Sequence, residues 1–245
     1  MRRRTFLGTA AASAGVALAG CIGDEDGNPN TVLGEPDREV DVDAEALAYP
    51  AYGQELPTVS LSAPLHGEEV ATTEYVGEGE TLVTFVFTRC PGPCPGLTAV
   101  LAHVQSTASE EGYADEVALM PMSFDPEHDT DERIREFSEL NGADPDADNW
   151  LFLRPETPQR AQEVVHGTFG VGFEEVPVED GGHDGHDQAE QGKPLDPGKH
   201  DDTTFVHTNL LLLVNRDGYV ERTYTPQPPR PDEVLDDLEA VRDGY

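Results

Sequence analysis

Apolar residues along this chain fall into short blocks whose spacing changes from two to nearly four and back. The patterns Val59-Leu61 and Val70-Thr72-Tyr75 predict two short early strands, and the unbroken run over 81–88 predicts a central strand buried on both faces. Leu97, Val100, Leu101 and Val104 then recur at i, i+3, i+4 and i+7, so an amphipathic helix follows directly, opening at Cys90 and Cys94. Residues 117–124 read as a second strand, and Asp129 with Glu132 three positions later signals a helix over 130–140. Residues 150–153 read as a third strand, followed by a helix with Thr157 as cap and Pro158 at its first position. After an extended stretch at 171–176 the periodicity stops: 177–203 is Gly, Asp, His and Pro, an exposed acidic insertion containing His183, His186 and His200. Residues 210–214 and 219–224, separated by Asn215-Arg-Asp-Gly218, predict a hairpin, and Pro231 opens a last helix with Val234, Leu238 and Val241 on one face.

Strands alternating with helices and closed by a hairpin and a helix predict an α/β fold, a mixed sheet flanked by helices. A pair of cysteines at the turn from the central strand into a helix is the thioredoxin-like version of that fold. The sequence shows no internal repeat.

The first twenty residues belong to something else. Arg2-Arg3-Arg4-Thr5-Phe6-Leu7 is followed by fifteen uncharged, mostly small residues at 6–20, ending in Leu18-Ala19-Gly20-Cys21. A charged start, a short apolar stretch and a small-residue processing site make an export signal, and the stretch is too short and weakly apolar to span a bilayer of about 30 Å. The arginine pair resembles a twin-arginine signal and Leu-Ala-Gly-Cys resembles a lipobox, which would place lipid on Cys21 and the mature protein on the outer face of the cell membrane. Residues 21–55 then read as an acidic disordered linker, with nine acidic groups and one arginine over 22–48, and 56–245 as the folded domain.

Charge narrows the function classes. With 49 acidic and 15 basic residues the formal net charge is −34, which argues against nucleic acid as a partner. Only Lys193 and Lys199 are lysine, so most carboxylates read as the solvated surface of a protein adapted to high salt. No phosphate-cradling glycine loop and no Ser/His/Asp order is present.

Export also sets the cysteine arithmetic. With Cys21 modified, Cys90 and Cys94 remain in an oxidising compartment, where thiols pair unless something keeps them reduced or metallated. Cys90-Pro-Gly-Pro-Cys94 places the thiols at i and i+4, on one face of a helical turn, near enough to pair or to grip one ion. A helix N-terminus favours the thiolate, and two thiolates with a neutral imidazole make a soft site suited to Cu(I) and, less selectively, to zinc. An inert disulfide is the bland alternative, but so small a loop constrains little unfolded-chain entropy.

Three motifs in order carry a resemblance: Thr84-Phe-Val-Phe-Thr-Arg-Cys-Pro-Gly-Pro-Cys-Pro95, Ser123-Phe-Asp-Pro-Glu-His-Asp-Thr130, and Phe205-Val-His-Thr208 before an apolar strand. Together they resemble the SCO/SenC family of thioredoxin-like copper proteins, over about residues 56–243. The resemblance implies a membrane-attached metallochaperone that binds copper, as Cu(I) and also Cu(II), and supplies it to cytochrome c oxidase subunit II or reduces that subunit's cysteines. Cys90 and Cys94 match the family's thiolate ligands and His207 its imidazole ligand. The family often has Asp just before this histidine; here Val206 stands there.

Asp125 is a candidate support for the site, against ordinary turn and cap chemistry. Arg89 would favour the neighbouring thiolate, against an equal reading as a solvated arginine. Met120 and Met122 read as core, and His66, His103, His128 and His166 form no constellation. The insertion's three histidines could capture divalent metal, against a reading as incidental residues of a solvated loop. The alternative function is a thiol-disulfide oxidoreductase in which Cys90 attacks a target disulfide and Cys94 resolves the mixed disulfide, without need of His207.

Overall fold

The computed structural model describes residues 28–36, 46–177 and 203–245. Its elements are β1 (Ser60–Ala63), β2 (Glu68–Ala71), β3 (Glu80–Val86), α1 (Cys94–Glu111), β4 (Val117–Ser123), α2 (Asp131–Leu140), α3 (Pro158–Ala161), β5 (Phe173–Pro177), β6 (Thr203–His207), β7 (Leu211–Val214), β8 (Val220–Tyr224) and α4 (Pro231–Arg242). The main sheet runs β4-β3-β7-β8, with β3 parallel to β4 and antiparallel to β7, and β7 antiparallel to β8. This is the mixed sheet expected from the pattern. Every residue of β3 and β4 is buried, as two-sided burial of inner strands requires. Helices α1 and α4 pack on one another, and α4 buries the predicted Val234, Leu238 and Val241. The β7–β8 turn closes at Gly218, whose φ of +88° a side chain would resist.

The stretch over 150–153 is not a full strand. It runs beside β4 with parallel bonding, Leu119 N–H to the Asn149 carbonyl, Leu151 N–H to Leu119, Leu153 N–H to Pro121 and Ser123 N–H to Leu153, at 2.8 to 2.9 Å. Pro121 has no N–H to contribute between these bonds, so the ladder is interrupted and only isolated bridges remain at Trp150 and Leu153. The capping signal also resolves differently. Thr130, not Asp129, caps α2, its hydroxyl accepting from Arg133 N–H at 3.3 Å. Thr157 caps α3 as expected, and the chain continues as a wider turn of π-helix over Gln162–Thr168.

The linker reading of 21–55 needs a larger correction. Residues 28–36 lie along β8, where the Glu221 carboxylate, itself buried, accepts Val32 N–H at 2.8 Å, Leu33 N–H at 2.9 Å and the Asn215 amide at 2.6 Å. Tyr52 donates to the Leu33 carbonyl at 2.7 Å, and Gly53 N–H bonds to Val220. A buried acceptor for two consecutive backbone donors overrides the segment's polar composition. The domain therefore begins well before Leu56. The acidic insertion and the signal segment lie outside the described residues, within which no helix is long and apolar enough to cross a membrane.

Strands β5 and β6 pair only with each other, Phe173 opposite His207 and Pro177 opposite Thr203. They form a separate two-stranded arm, joined to the main sheet by no backbone hydrogen bond among the described residues.

Candidate metal centre

The dithiol sits where β3 ends. Proline at 91 and 93 disfavours the α conformation at Cys90 and Gly92, so α1 starts only at Cys94, with Pro95 in its first turn, where a missing N–H costs nothing. Cys90 therefore lies in the turn before the helix, and the two thiols do not share a helical face as their i and i+4 spacing suggested. Cys90 N–H bonds back to the Phe87 carbonyl, and Gly92 N–H donates to the Cys90 sulfur at 3.4 Å. Both cysteines are free thiols and both are buried, Cys94 completely.

His207 arrives from the arm. Its Nε2 stands 3.5 Å from Cys94 Sγ and 3.9 Å from Cys90 Sγ, and the three potential ligand atoms lie within 4.8 Å of one another. The imidazole leans on Phe124, centroid to centroid 5.0 Å, and on Phe87 at 5.8 Å. Its Nδ1 faces the Thr208 carbonyl at 3.3 Å, which turns Nε2 towards the two sulfurs. Val206, at the position before the histidine where the resemblance implies an orienting carboxylate, points out and is 65% exposed. A backbone carbonyl and two aromatic rings orient this histidine instead.

The two sulfurs differ in kind. The Cys94 thiol donates to Cys90, and with His207 and Gly92 N–H this lowers the Cys90 pKa to about 4 against the opposing effect of burial. Burial pushes Cys94 the other way and holds it protonated. The thiolate-favouring effect expected of the helix N-terminus is therefore overcome at Cys94, the cysteine that occupies it. An ionised sulfur, a buried thiol and an imidazole nitrogen around one point form a soft donor set.

Asp125 does not reach this group. Its carboxylate takes Arg89 Nε at 2.6 Å on one oxygen and His128 Nδ1 at 2.8 Å on the other. Arg89 accordingly turns to Asp125, to the Thr203 carbonyl and to the Phe205 ring at 5.4 Å, which is neither a solvated side chain nor a simple neighbour of the thiolate. Met120 and Met122 are fully buried core. Cys21, His183, His186 and His200 lie outside the described residues.

Asp129, read from sequence as a cap, is instead a buried brace below the dithiol turn. It accepts Thr88 N–H at 3.0 Å and the Thr88 and Ser123 hydroxyls at 2.6 Å, and burial raises its pKa to about 6. The aromatic bed of Phe87, Phe124, Phe173 and Phe205 was also missed, although one signal was present. Phe205 and His207 are two apart on a strand and must share a face.

A family model described as SCO1/SenC matches residues 65–243. The chain is 24% identical over 176 residues to the SCO1 protein homolog of Bacillus subtilis (strain 168), covering 71% of this chain and 77% of that protein. Among solved structures it resembles a SCO1/SenC family lipoprotein from Bacillus anthracis str. Ames, with TM-score 0.56, 20% identity and coverage of 80% of this chain and 99% of that one. It also resembles Arabidopsis thaliana ScoI, solved with copper bound, with TM-score 0.54, 19% identity and coverage of 76% and 98%.

Proposed function

The chain belongs to the SCO1/SenC family, and from that premise we propose that it is an exported copper-binding metallochaperone of cytochrome c oxidase assembly, with Cys90, Cys94 and His207 as ligands. The observation that carries this reading is the convergence of the three donor atoms within 4.8 Å, with the cysteines unpaired. The donor set fits the cargo: sulfur and imidazole together favour Cu(I), and imidazole also serves Cu(II). Copper bound to the Arabidopsis thaliana relative supports the same cargo here. Cys90 and His207 lie nearer the surface than Cys94, so an acceptor's ligands enter on their side and the buried sulfur lets go last. The acceptor is the copper site of oxidase subunit II. Lipid on Cys21 tethers the protein to the outer face of the membrane, a reading that the lipoprotein from Bacillus anthracis supports.

Anaerobic Cu(I) titration of reduced residues 22–245, with Cys21 replaced by Ser, in high salt against a competing chelator, tests the proposal. One tight equivalent that weakens in His207→Ala is expected. Absence of tight binding, or binding indifferent to His207, would refute it.

A second reading draws on the asymmetry of the thiols. Cys90 as thiolate attacks one sulfur of a target disulfide, forming a mixed disulfide and releasing one target thiolate. Cys94, once deprotonated, attacks the Cys90 sulfur and releases the other. Two electrons pass from the dithiol to the target, and His207 is not needed. Reduction of a protein disulfide at an unchanged rate in His207→Ala, with no tight copper site, would favour this reading.

A further inference from the structure

The third ligand rides on an arm with little of its own to hold it in place. Strands β5 and β6 stand 25 residues apart in the sequence (178–202), so closing their pairing carries a loop-entropy cost, and a two-stranded ribbon is marginal by itself. Apolar contact supplies one restraint: Phe205 meets Phe87 at 5.3 Å and Phe124 at 5.5 Å, and Phe173 meets Phe124 at 4.9 Å. At its His207 end the arm is also tied by Thr208 N–H to the Gly172 carbonyl at 2.9 Å and by its short lead into β7, but none of these contacts fixes the Thr203 end.

One polar side chain supplies direction. Arg89 immediately precedes Cys90, and its guanidinium donates Nε to Asp125 Oδ2 at 2.6 Å and Nη1 to the Thr203 carbonyl, with Phe205 against its face. Asp125 is buried and fixed in turn, its N–H donating to Ser123 Oγ at 3.1 Å and its other oxygen meeting His128. Arg89 thus joins three segments: the turn bearing Cys90, the loop leaving β4, and the first residue of the strand that ends in His207. Only a planar fork with separate donors makes both bonds at once.

We propose that Arg89 is a positioning residue for the metal centre: it clasps the arm to the dithiol turn and so holds His207 in register with the two sulfurs. The inference rests on the copper reading above, and it makes one prediction that does not involve metal. Arg89→Lys keeps the charge beside Asp125 but cannot reproduce the fork. Arg89→Met combined with Asp125→Asn removes the clasp without leaving a buried carboxylate unpaired.

The experiment pairs a Cu(I) competition titration with hydrogen exchange of the metal-free, reduced protein. Either variant should weaken Cu(I) binding about tenfold, the scale seen when partners that orient a ligand are removed. In a His207→Ala background the same variants should change affinity less than about twofold, because the clasp acts through the missing ligand. In the metal-free protein the amides of 204–208 should exchange at least about fivefold faster, with β3 unchanged. Equal weakening in both backgrounds, or exchange unchanged at 204–208, would overturn the clasp. Failure of the parent protein to bind Cu(I) tightly would refute the copper reading and with it Arg89 as a metal-site residue. Exchange would still decide whether Arg89 holds the arm.

Discussion

His207 Nε2 stands 3.5 Å from Cys94 Sγ, although His207 ends a strand of the separate arm and Cys94 opens α1, which packs on a main sheet that shares no backbone hydrogen bond with that arm among the described residues. Ligand and fold are thereby separable. His207→Ala should lower Cu(I) affinity at least about tenfold, near 1.4 kcal/mol, while changing unfolding free energy by about 1 kcal/mol or less. Chelator competition and denaturant titration on the same protein check the two halves. A loss of several kcal/mol in stability would show that the arm is structural.

The ionised Cys90 has a kinetic signature. With a pKa of about 4, its alkylation by iodoacetamide should be nearly independent of pH between 6 and 8, and Cys94 should react last. The unfolded chain, with ordinary thiols near 8.5, should react faster by more than tenfold over the same interval. Cys94→Ala removes the main donor to Cys90 and should restore a pH dependence. Mass spectrometry of quenched samples reads each site. A tenfold rise per pH unit at Cys90 in the folded parent would contradict the assignment.

Asp129 gives a pH effect of defined sign. Its folded pKa is raised to about 6 by burial, so the folded state binds the proton more tightly than the unfolded chain. Its contribution is therefore fully present below pH 4 and is lost as the pH rises towards and through 6. In Asp129→Asn the amide oxygen can still serve Thr88 and the amide nitrogen can donate to Ser123 Oγ. Relative to this variant, the parent should lose about 2 to 3 kcal/mol between pH 4 and pH 7. Urea unfolding of both proteins across that range, at fixed high salt, measures the difference. Parallel curves would show that Asp129 does not titrate there.

Glu221 anchors the docked N-terminal segment. Glu221→Ala deprives Val32 N–H, Leu33 N–H and the Asn215 amide of a buried acceptor, which should cost about 2 to 4 kcal/mol. Limited proteolysis should then cut within 28–36 while leaving the core intact. Resistance equal to the parent's would mean that the side chain is dispensable to the docking.

The main sheet, α1, α4 and the β7–β8 hairpin could be read from the chain because each buries apolar residues either in an unbroken run or at a regular period, and burial is what apolar spacing records. Cys90, Cys94 and His207 were likewise legible as a set, through motif resemblance. Their geometry was not. Proline chemistry at 91 and 93 moved Cys90 out of the helix, and Pro121 broke the ladder beside β4, because a missing N–H acts through a partner that only the fold supplies. Residues 28–36 were missed for a related reason. Their anchor is Glu221, a carboxylate 185 or more positions away that looks like one of many solvated acids until its donors are in place. Arg89 and Asp129 belong to the same class, since polar residues reveal their roles only through three-dimensional partners.

The docked segment also changes how a membrane-tethered form of this protein can move. Glu221 lies beside Val220, which pairs with Val214, which pairs with Thr81 at the beginning of β3; Cys90 follows the far end of that strand. Were Cys21 to carry lipid as proposed, the leash would be only the stretch from Cys21 to Asn28, at most about 25 Å long at full extension. The leash would join the domain at the end of the sheet opposite the dithiol. The search for an acceptor would then become a two-dimensional glide across the membrane, with collisions limited to targets that present their metal site within that reach.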